Sequence, residues 1–193
     1  MTDFSALRDE PATVRISRSE VVYPGRVWDV RSDTFDYDGE STSRDYVDHT
    51  GAAAIAAIDD DGRILLMQQY RHPIRSRDWE VPAGLLDIDG EPPADAARRE
   101  LAEEADLTAS RWSELLSINT SPGGSDEVVH IFLAEGISPA PETYAREAEE
   151  ADIRLEWVPL EDAVTAVLEG RMQNAILVAA VLAASERRRR AVG

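Results

Sequence analysis

The chain has 193 residues, 43% of them apolar and 30% charged, values that support a globular core and fit one domain with an appendage. It contains no cysteine, which excludes disulfides, thiolate metal sites and cysteine nucleophiles. Its 20 basic residues, all Arg, face 38 acidic ones, and the resulting charge of −18 opposes non-specific binding to nucleic acid or to anionic membranes.

The first ten residues show no basic stretch followed by an apolar one, so no secretory signal is read and a cytoplasmic protein is expected. From Thr13 to Val47 apolar and polar residues alternate between turn signals: VRISRSEVV, Tyr23-Pro24-Gly25, VWDVRSDTFDY, Asp38-Gly39, then RDYVDH. That pattern predicts short antiparallel strands joined by hairpins. Gly51-AAAIAAID reads as a buried strand, Asp60-Asp61-Gly62 as a turn, and ILLMQQYRH from Ile64 as a second buried strand. Residues 92–106 read as a helix, and 112–118, 128–134 and 154–158 as strands. Leu160 opens a helix that ends at Gly170, a favourable residue just past a helix end. Asn174 is placed to cap a last helix, whose terminal Arg187–Arg190 suit the negative end of the helix dipole. Its apolar run, Ala175 to Ala184, is far too short for a membrane span. The expected class is α+β, with helices on a mixed sheet over 50–193 and an N-terminal strand-rich extension over 1–49.

The helix over 92–106 carries the chemistry. Pro92-Pro93 suit its entrance. At 100° per residue, with Glu100 at zero, Glu104 lies near about +40° and Glu103 near about −60°. Ala97, Leu101 and Ala105 fall on the adjoining face, so small apolar residues dock the helix while three carboxylates share its other side. Arg99 stands four residues before Glu103 and is placed to orient it. Taken alone, Glu-x-x-Glu-Glu reads first as a solvated acidic face, common in a chain this acidic, and points only weakly to function. Three like charges within one turn repel one another, however, and a hard divalent cation such as Mg²⁺ or Mn²⁺ removes that repulsion through oxygen ligands.

The run Gly84-LLDIDGEPPADAARRELAEEADL resembles the signature of the Nudix hydrolases, matching it at Gly84, Glu91, Arg99, Glu100, Leu101, Glu103, Glu104 and Leu107. Two positions depart from it. The spacer from Gly84 to Glu91 holds six residues where the usual pattern has five, and Asp106 stands where the pattern has Gly. Both changes fall at the ends of the helix, away from its carboxylate face.

Outside the signature the chain is similar to the ADP-ribose pyrophosphatase branch of that family. Gln69-Tyr70-Arg71-His72 followed by Trp79-Glu80-Val81-Pro82-Ala83-Gly84 resembles a run of those enzymes, and Pro122 stands fifteen residues past the signature, where they carry a Pro. Ser121-Pro-Gly-Gly-Ser-Asp-Glu127 resembles one of their inter-strand loops, and Glu149-Glu150-Ala151-Asp152 falls where they place an acidic loop with a catalytic glutamate. The resemblance implies an α/β/α Nudix sandwich and hydrolysis of ADP-ribose to AMP and ribose 5-phosphate with two or more Mg²⁺ or Mn²⁺ ions. It implies Glu100, Glu103, Glu104 and the Ala83 carbonyl as metal ligands, Glu149 or Glu150 as base, and Arg99 as an orienting residue. Glu91 is expected to support its loop rather than bind metal.

Substrate contacts are expected from Arg71, Trp28, Ser121, Pro122, Gly123 and Ser125. Each has a plainer reading. Arg71 is also a strand-end charge, the 121–127 stretch also a long hairpin turn, Trp28 either core or a plate for adenine, and Glu149 and Glu150 by default solvated. Trp79 is read as packing. The resemblance further implies a homodimer built through the N-terminal strands. The alternatives are the same chemistry on another nucleoside diphosphate sugar or a dinucleotide, and a non-catalytic ADP-ribose-binding module. Three intact glutamates and the short chain weigh against the last.

Overall fold

A computed structural model describes residues 7–142 and 152–192. Glu149 and Glu150 lie outside the described residues, so the expected base has no structural account. The chain divides into two compact units, one holding the sequence up to His49 together with Gly123–Ser125, the other Thr50–Pro122 with Asp126–Gly193.

The first unit is a three-stranded antiparallel sheet of β1 (Arg15–Tyr23), β2 (Asp29–Tyr37) and β3 (Glu40–Asp48), in that spatial order. Asp38 and Gly39 both take positive φ, 52° and 85°, which is what a two-residue hairpin demands. Because the turn is this short, β3 starts at Glu40 rather than at the expected Arg44, with Tyr37 opposite Glu40. Val47 N–H donates to the Gly124 carbonyl at 2.9 Å, and Val47 bridges Ser125 in parallel, so 123–125 extend this unit beside β3.

The second unit is built on seven strands: β4 (Ala52–Ile58), β5 (Arg63–Arg71), β6 (Ser76–Glu80), β7 (Ala83–Leu85), β8 (Leu107–Asn119), β9 (Val128–Pro139) and β10 (Arg154–Pro159). Their order is β10-β5-β4-β9-β8, with β6 on β5 and β7 on β4. β4 and β9 run parallel while the other pairs are antiparallel, so the sheet is mixed. The helices are α1 (Pro93–Ala105), α2 (Leu160–Leu168) and α3 (Ala175–Val192).

All seven residues of β4 are buried. Ala53, Ile55 and Ala57 pack with Leu101, Ala97 and Ala96 of α1, whereas Ala52, Ala54, Ala56 and Ile58 pack with Leu160 and Ala163 of α2 and Leu177 and Val181 of α3. Alternation along one strand therefore feeds two cores, and the layers are helix, sheet, helix. Its alanines let helices on both faces approach closely. The expected sandwich is thus the observed one. The fully buried Ile and Leu side chains each contribute about 1.5–3 kcal/mol.

Two helix ends show why particular polar residues sit there. Asp106 closes α1 with φ 55° and ψ 35°, its N–H donating to Ala102 and Leu101. This is the left-handed conformation for which Gly is the default and which Asp tolerates better than most residues. The signature's late Gly is thus replaced without loss of the turn. Asp106→Val should cost about 1–2 kcal/mol, the penalty for a bulky side chain in that region, whereas Asp106→Gly should fold normally; urea denaturation checks both.

Asn174 caps α3 as expected. Its Oδ1 accepts from the N–H of Ile176 and of Leu177, both at 3.0 Å, while its Nδ2 donates to Asp78 of β6 at 3.1 Å. Asn174→Ala should lower stability by about 1–2 kcal/mol, and Asn174→Ser, which keeps the cap and drops the tie to β6, by less; thermal melts separate the two.

At the other end of α3, Arg187 donates to the Glu114 carbonyl and Arg188 faces Glu135, while Arg189 and Arg190 hold the Glu186 carboxyl down to about 2. Among the described residues no helix is long and apolar enough to cross a membrane.

Candidate active site

The glutamate-bearing helix is positioned by its other face. Ala96, Ala97, Leu101 and Ala105 are buried, which turns Glu100, Glu103 and Glu104 away from the core. The segment just before β6 has Arg75 in the left-handed region, and Pro82 follows β6. The chain then makes the three-residue β7, which pairs with β4 by setting Ala83 against Ala54 and Gly84 against Ala53. A central strand thus carries the turn that meets the helix. Neither β6 nor β7 was expected from the sequence, because three to five residues are too few for an alternating pattern to show.

Against that turn two glutamates are fixed. The Ala83 N–H donates to Glu104 Oε2 at 2.9 Å. The Glu100 carboxyl lies against Gly84 so closely that a β-carbon there would overlap it. Gly84 is required for space, not for backbone freedom. Its place in the signature follows from this contact.

Arg99 meets more than Glu103. Its Nε and Nη2 form a fork with Glu91 at 3.2 and 3.0 Å, and its Nη1 reaches Glu100 at 2.5 Å and Glu103 at 3.1 Å. The bond to Glu91, then the charges and bonds of Glu100 and Glu103, hold this guanidinium protonated far above its ordinary range despite burial. The same bond lowers the Glu91 carboxyl. Glu91 sits in the loop before α1, and this fork ties the loop to the helix. Glu100 is raised, first by burial and then by Glu103 and Asp87, with Arg99 opposing.

Arg71 belongs to a separate cluster. Its Nε and Nη2 form a fork with Glu80 at 2.6 and 2.7 Å, and Gln69 Nε2 donates to the same carboxylate at 3.2 Å. Arg71 is raised by this bond, against desolvation, with Glu104 and Asp78 adding to the effect. It is therefore neither an unattached strand-end charge nor a bare fork awaiting a ligand. Glu80 was not singled out as a site residue in the sequence; the clue was a charged residue set between the apolar Trp79 and Val81. Trp79 itself packs on the core as expected, with Arg154 5.6 Å from its ring centre.

The remaining expected contacts fall in different places. Trp28 is 42% exposed and stacks on His49 with ring centres 4.9 Å apart, both in the first unit. Ser125 Oγ donates to the Val47 carbonyl at 3.4 Å, and Gly123 shares that unit. Ser121 and Pro122 are exposed in the second unit. A hydrogen bond between the Thr120 hydroxyl and Glu127 closes the base of the 121–126 turn.

The donor set fits a hard divalent ion. Glu91, Glu100, Glu103 and Glu104 offer oxygen only, and the chain has no thiol to favour a softer metal. Arg99 supplies one positive charge among these four carboxylates, which leaves the group strongly anionic. Burial holds Glu100 where its charge is disfavoured without a cation. Among the described residues no three acidic or histidine side chains close on one point; Arg99 engages Glu100 and Glu103, and Glu104 accepts from Ala83.

The profile of the NUDIX domain matches residues 48–180. The chain is 44% identical over 166 residues to the ADP-ribose pyrophosphatase of Mycobacterium tuberculosis (strain ATCC 25618 / H37Rv), covering 86% of this chain and 80% of that protein. It is 38% identical over 150 residues to the ADP-ribose pyrophosphatase of Bacillus subtilis (strain 168), covering 77% and 80%. A solved structure described as an ADP compounds hydrolase superposes with a TM-score of 0.75 over 93% of this chain and 96% of its own, at 21% identity, a likeness of fold.

Proposed function

The chain belongs to the NUDIX-domain family, and from that premise we propose that it hydrolyses the pyrophosphate bond of ADP-ribose, giving AMP and ribose 5-phosphate. The observation that carries the reading is the meeting of Gly84 with Glu100 and of Ala83 with Glu104, which brings the signature's two ends into one place. Two relatives at 44% and 38% identity that are ADP-ribose pyrophosphatases support the choice of substrate.

Nudix hydrolases generally depend on a divalent metal. In this chain Glu100, Glu103, Glu104 and the Ala83 carbonyl would hold two or more Mg²⁺ or Mn²⁺ ions, which neutralise phosphoryl charge and acidify bound water. Arg99 keeps Glu100 and Glu103 oriented and ties them to the Glu91 loop. Arg71, Trp28, Ser121, Pro122, Gly123 and Ser125 take the substrate, and Glu149 or Glu150 takes the proton. The working unit is a cytoplasmic homodimer, with residues 1–49 as the dimerising extension and 50–193 as the hydrolase domain. The motive for the extension's role is that β1 is an edge strand with Ile16, Val22 and Tyr23 at least half exposed.

The test is turnover of ADP-ribose beside other nucleoside diphosphate sugars and a dinucleoside diphosphate, with products separated by chromatography. AMP and ribose 5-phosphate in equal amounts, at the highest kcat/KM of the panel, are expected. Faster cleavage of another diphosphate would reassign the substrate, and tight ADP-ribose binding without turnover would make the chain a binding module.

A further inference from the structure

Glu80 stands out once the carboxylates of α1 are set aside. It and Gln69 are the buried polar side chains of the described core, 5% and 9% exposed. A buried carboxylate is expensive unless paired, and a pair of this kind is seldom needed for stability, since apolar residues of similar size often serve as well. Here the partner is not buried. The Arg71 side chain is 49% exposed against 7% for Glu80. The carboxylate is thus sunk in the sheet while the guanidinium it grips stands at the surface.

The direction of that guanidinium follows from the strand. Leu65 of β5 packs in the core on the α1 side, and residues two apart along a strand share a face, so Gln69 and Arg71 lie on the side of the sheet that carries the glutamate helix. Pairing sets Met67 opposite Glu80 and Arg71 opposite Ser76, and Glu80 reaches diagonally across β6 and β5 to meet Arg71. Three residues beyond Glu80, Ala83 donates to Glu104. Glu104 in turn is among the charges that stabilise the protonated Arg71. A guanidinium carries five N–H groups, and the fork with Glu80 uses two.

We infer that Glu80, braced by Gln69, is a positioning residue: it fixes the Arg71 guanidinium so that its outer N–H groups are presented beside the α1 carboxylates to a phosphoryl oxygen of a diphosphate. This rests on the function proposed above and names how one of its substrate contacts is held. Without Glu80 the arginine keeps its charge but loses its aim. Binding to ground and transition states then weakens alike, which is read in KM rather than kcat.

The experiment is steady-state kinetics on ADP-ribose with Mg²⁺ for wild type, Glu80→Gln, Glu80→Asp, Arg71→Ala and the Arg71→Ala/Glu80→Gln double variant, each with a thermal melt. Glu80→Gln should raise KM at least about tenfold with kcat within about threefold, and Glu80→Asp should fall between it and wild type. In the Arg71→Ala background Glu80→Gln should add less than about twofold, because its effect passes through the missing arginine. A folded Glu80→Gln with unchanged KM, or an equal effect in both backgrounds, would overturn the assignment. Should Glu80→Gln fail to fold, Glu80→Asp carries the test, and an unchanged KM in it counts against the inference. Wild-type turnover with KM indifferent to Glu80 refutes this inference alone, whereas a wild type inert toward every nucleoside diphosphate refutes the proposed function and this inference with it.

Discussion

Glu104→Gln should lower kcat for ADP-ribose by at least about a hundredfold, equivalent to about 2.7 kcal/mol of transition-state stabilisation, without unfolding the protein. The substitution is chosen for the hydrogen bond it spares. Glu104 accepts from the Ala83 N–H at 2.9 Å, and a glutamine carbonyl oxygen accepts the same bond. What disappears is the charge, and with it a ligand for a hard cation. Thermal melts should therefore agree closely while turnover collapses. A variant that retains a tenth or more of the wild-type kcat would remove Glu104 from the metal ligands.

Gly84→Ala should be nearly as damaging, for a steric reason. Gly84 does not need positive φ, so alanine is compatible with the backbone of β7. Its β-carbon, however, would occupy the space of the Glu100 carboxyl. The end of a flexible side chain is what must move, so the fold should lose about 1 kcal/mol or less, offset in part by the lower chain entropy of alanine. A misplacement of about 1 Å in such a site costs on the order of a hundredfold in rate. The expected result is thus a stable protein with about a hundredth of the activity. Wild-type activity in Gly84→Ala would mean that Glu100 need not stand where the structure has it. Unfolding instead would mean that the contact serves packing.

How far the sequence could be read depended on the length of each signal. The run Ala52–Ile58 and the strand from Arg63 were legible because continuous apolar stretches need burial on both faces. The helix expected over 92–106 and observed over 93–105 was legible because prolines open it and its apolar positions keep a helical period. β8 runs over 107–119, well beyond the expected 112–118, since its polar residues gain their strand character from pairing with β9. β7 owes its three residues to hydrogen bonds with β4, a partner some thirty positions earlier in the chain, and no local pattern announces that.

The site divides in the same way. Arg99 and Glu103 are four apart on a helix, so their contact is a matter of helical geometry. That Arg99 also grips Glu91 depends on the path of the loop before α1. Arg71 was visible as a planar cation at a strand end, but its partner Glu80 comes from the return of the chain through Arg75 in a left-handed turn. The contact between Gly84 and Glu100 spans sixteen residues and two elements. Only the resemblance to a known signature hinted that the two belong together, and the structure supplies the reason.

The most direct test of the account is ADP-ribose turnover by the wild-type protein before chelation, after removal of divalent ions, and after Mg²⁺ or Mn²⁺ is restored. If the proposed mechanism holds, AMP release stops on chelation and returns with the metal, and Glu104→Gln stays at least about a hundredfold slower throughout. AMP release that survives complete chelation, or that Glu104→Gln performs as well as the wild type, would contradict it.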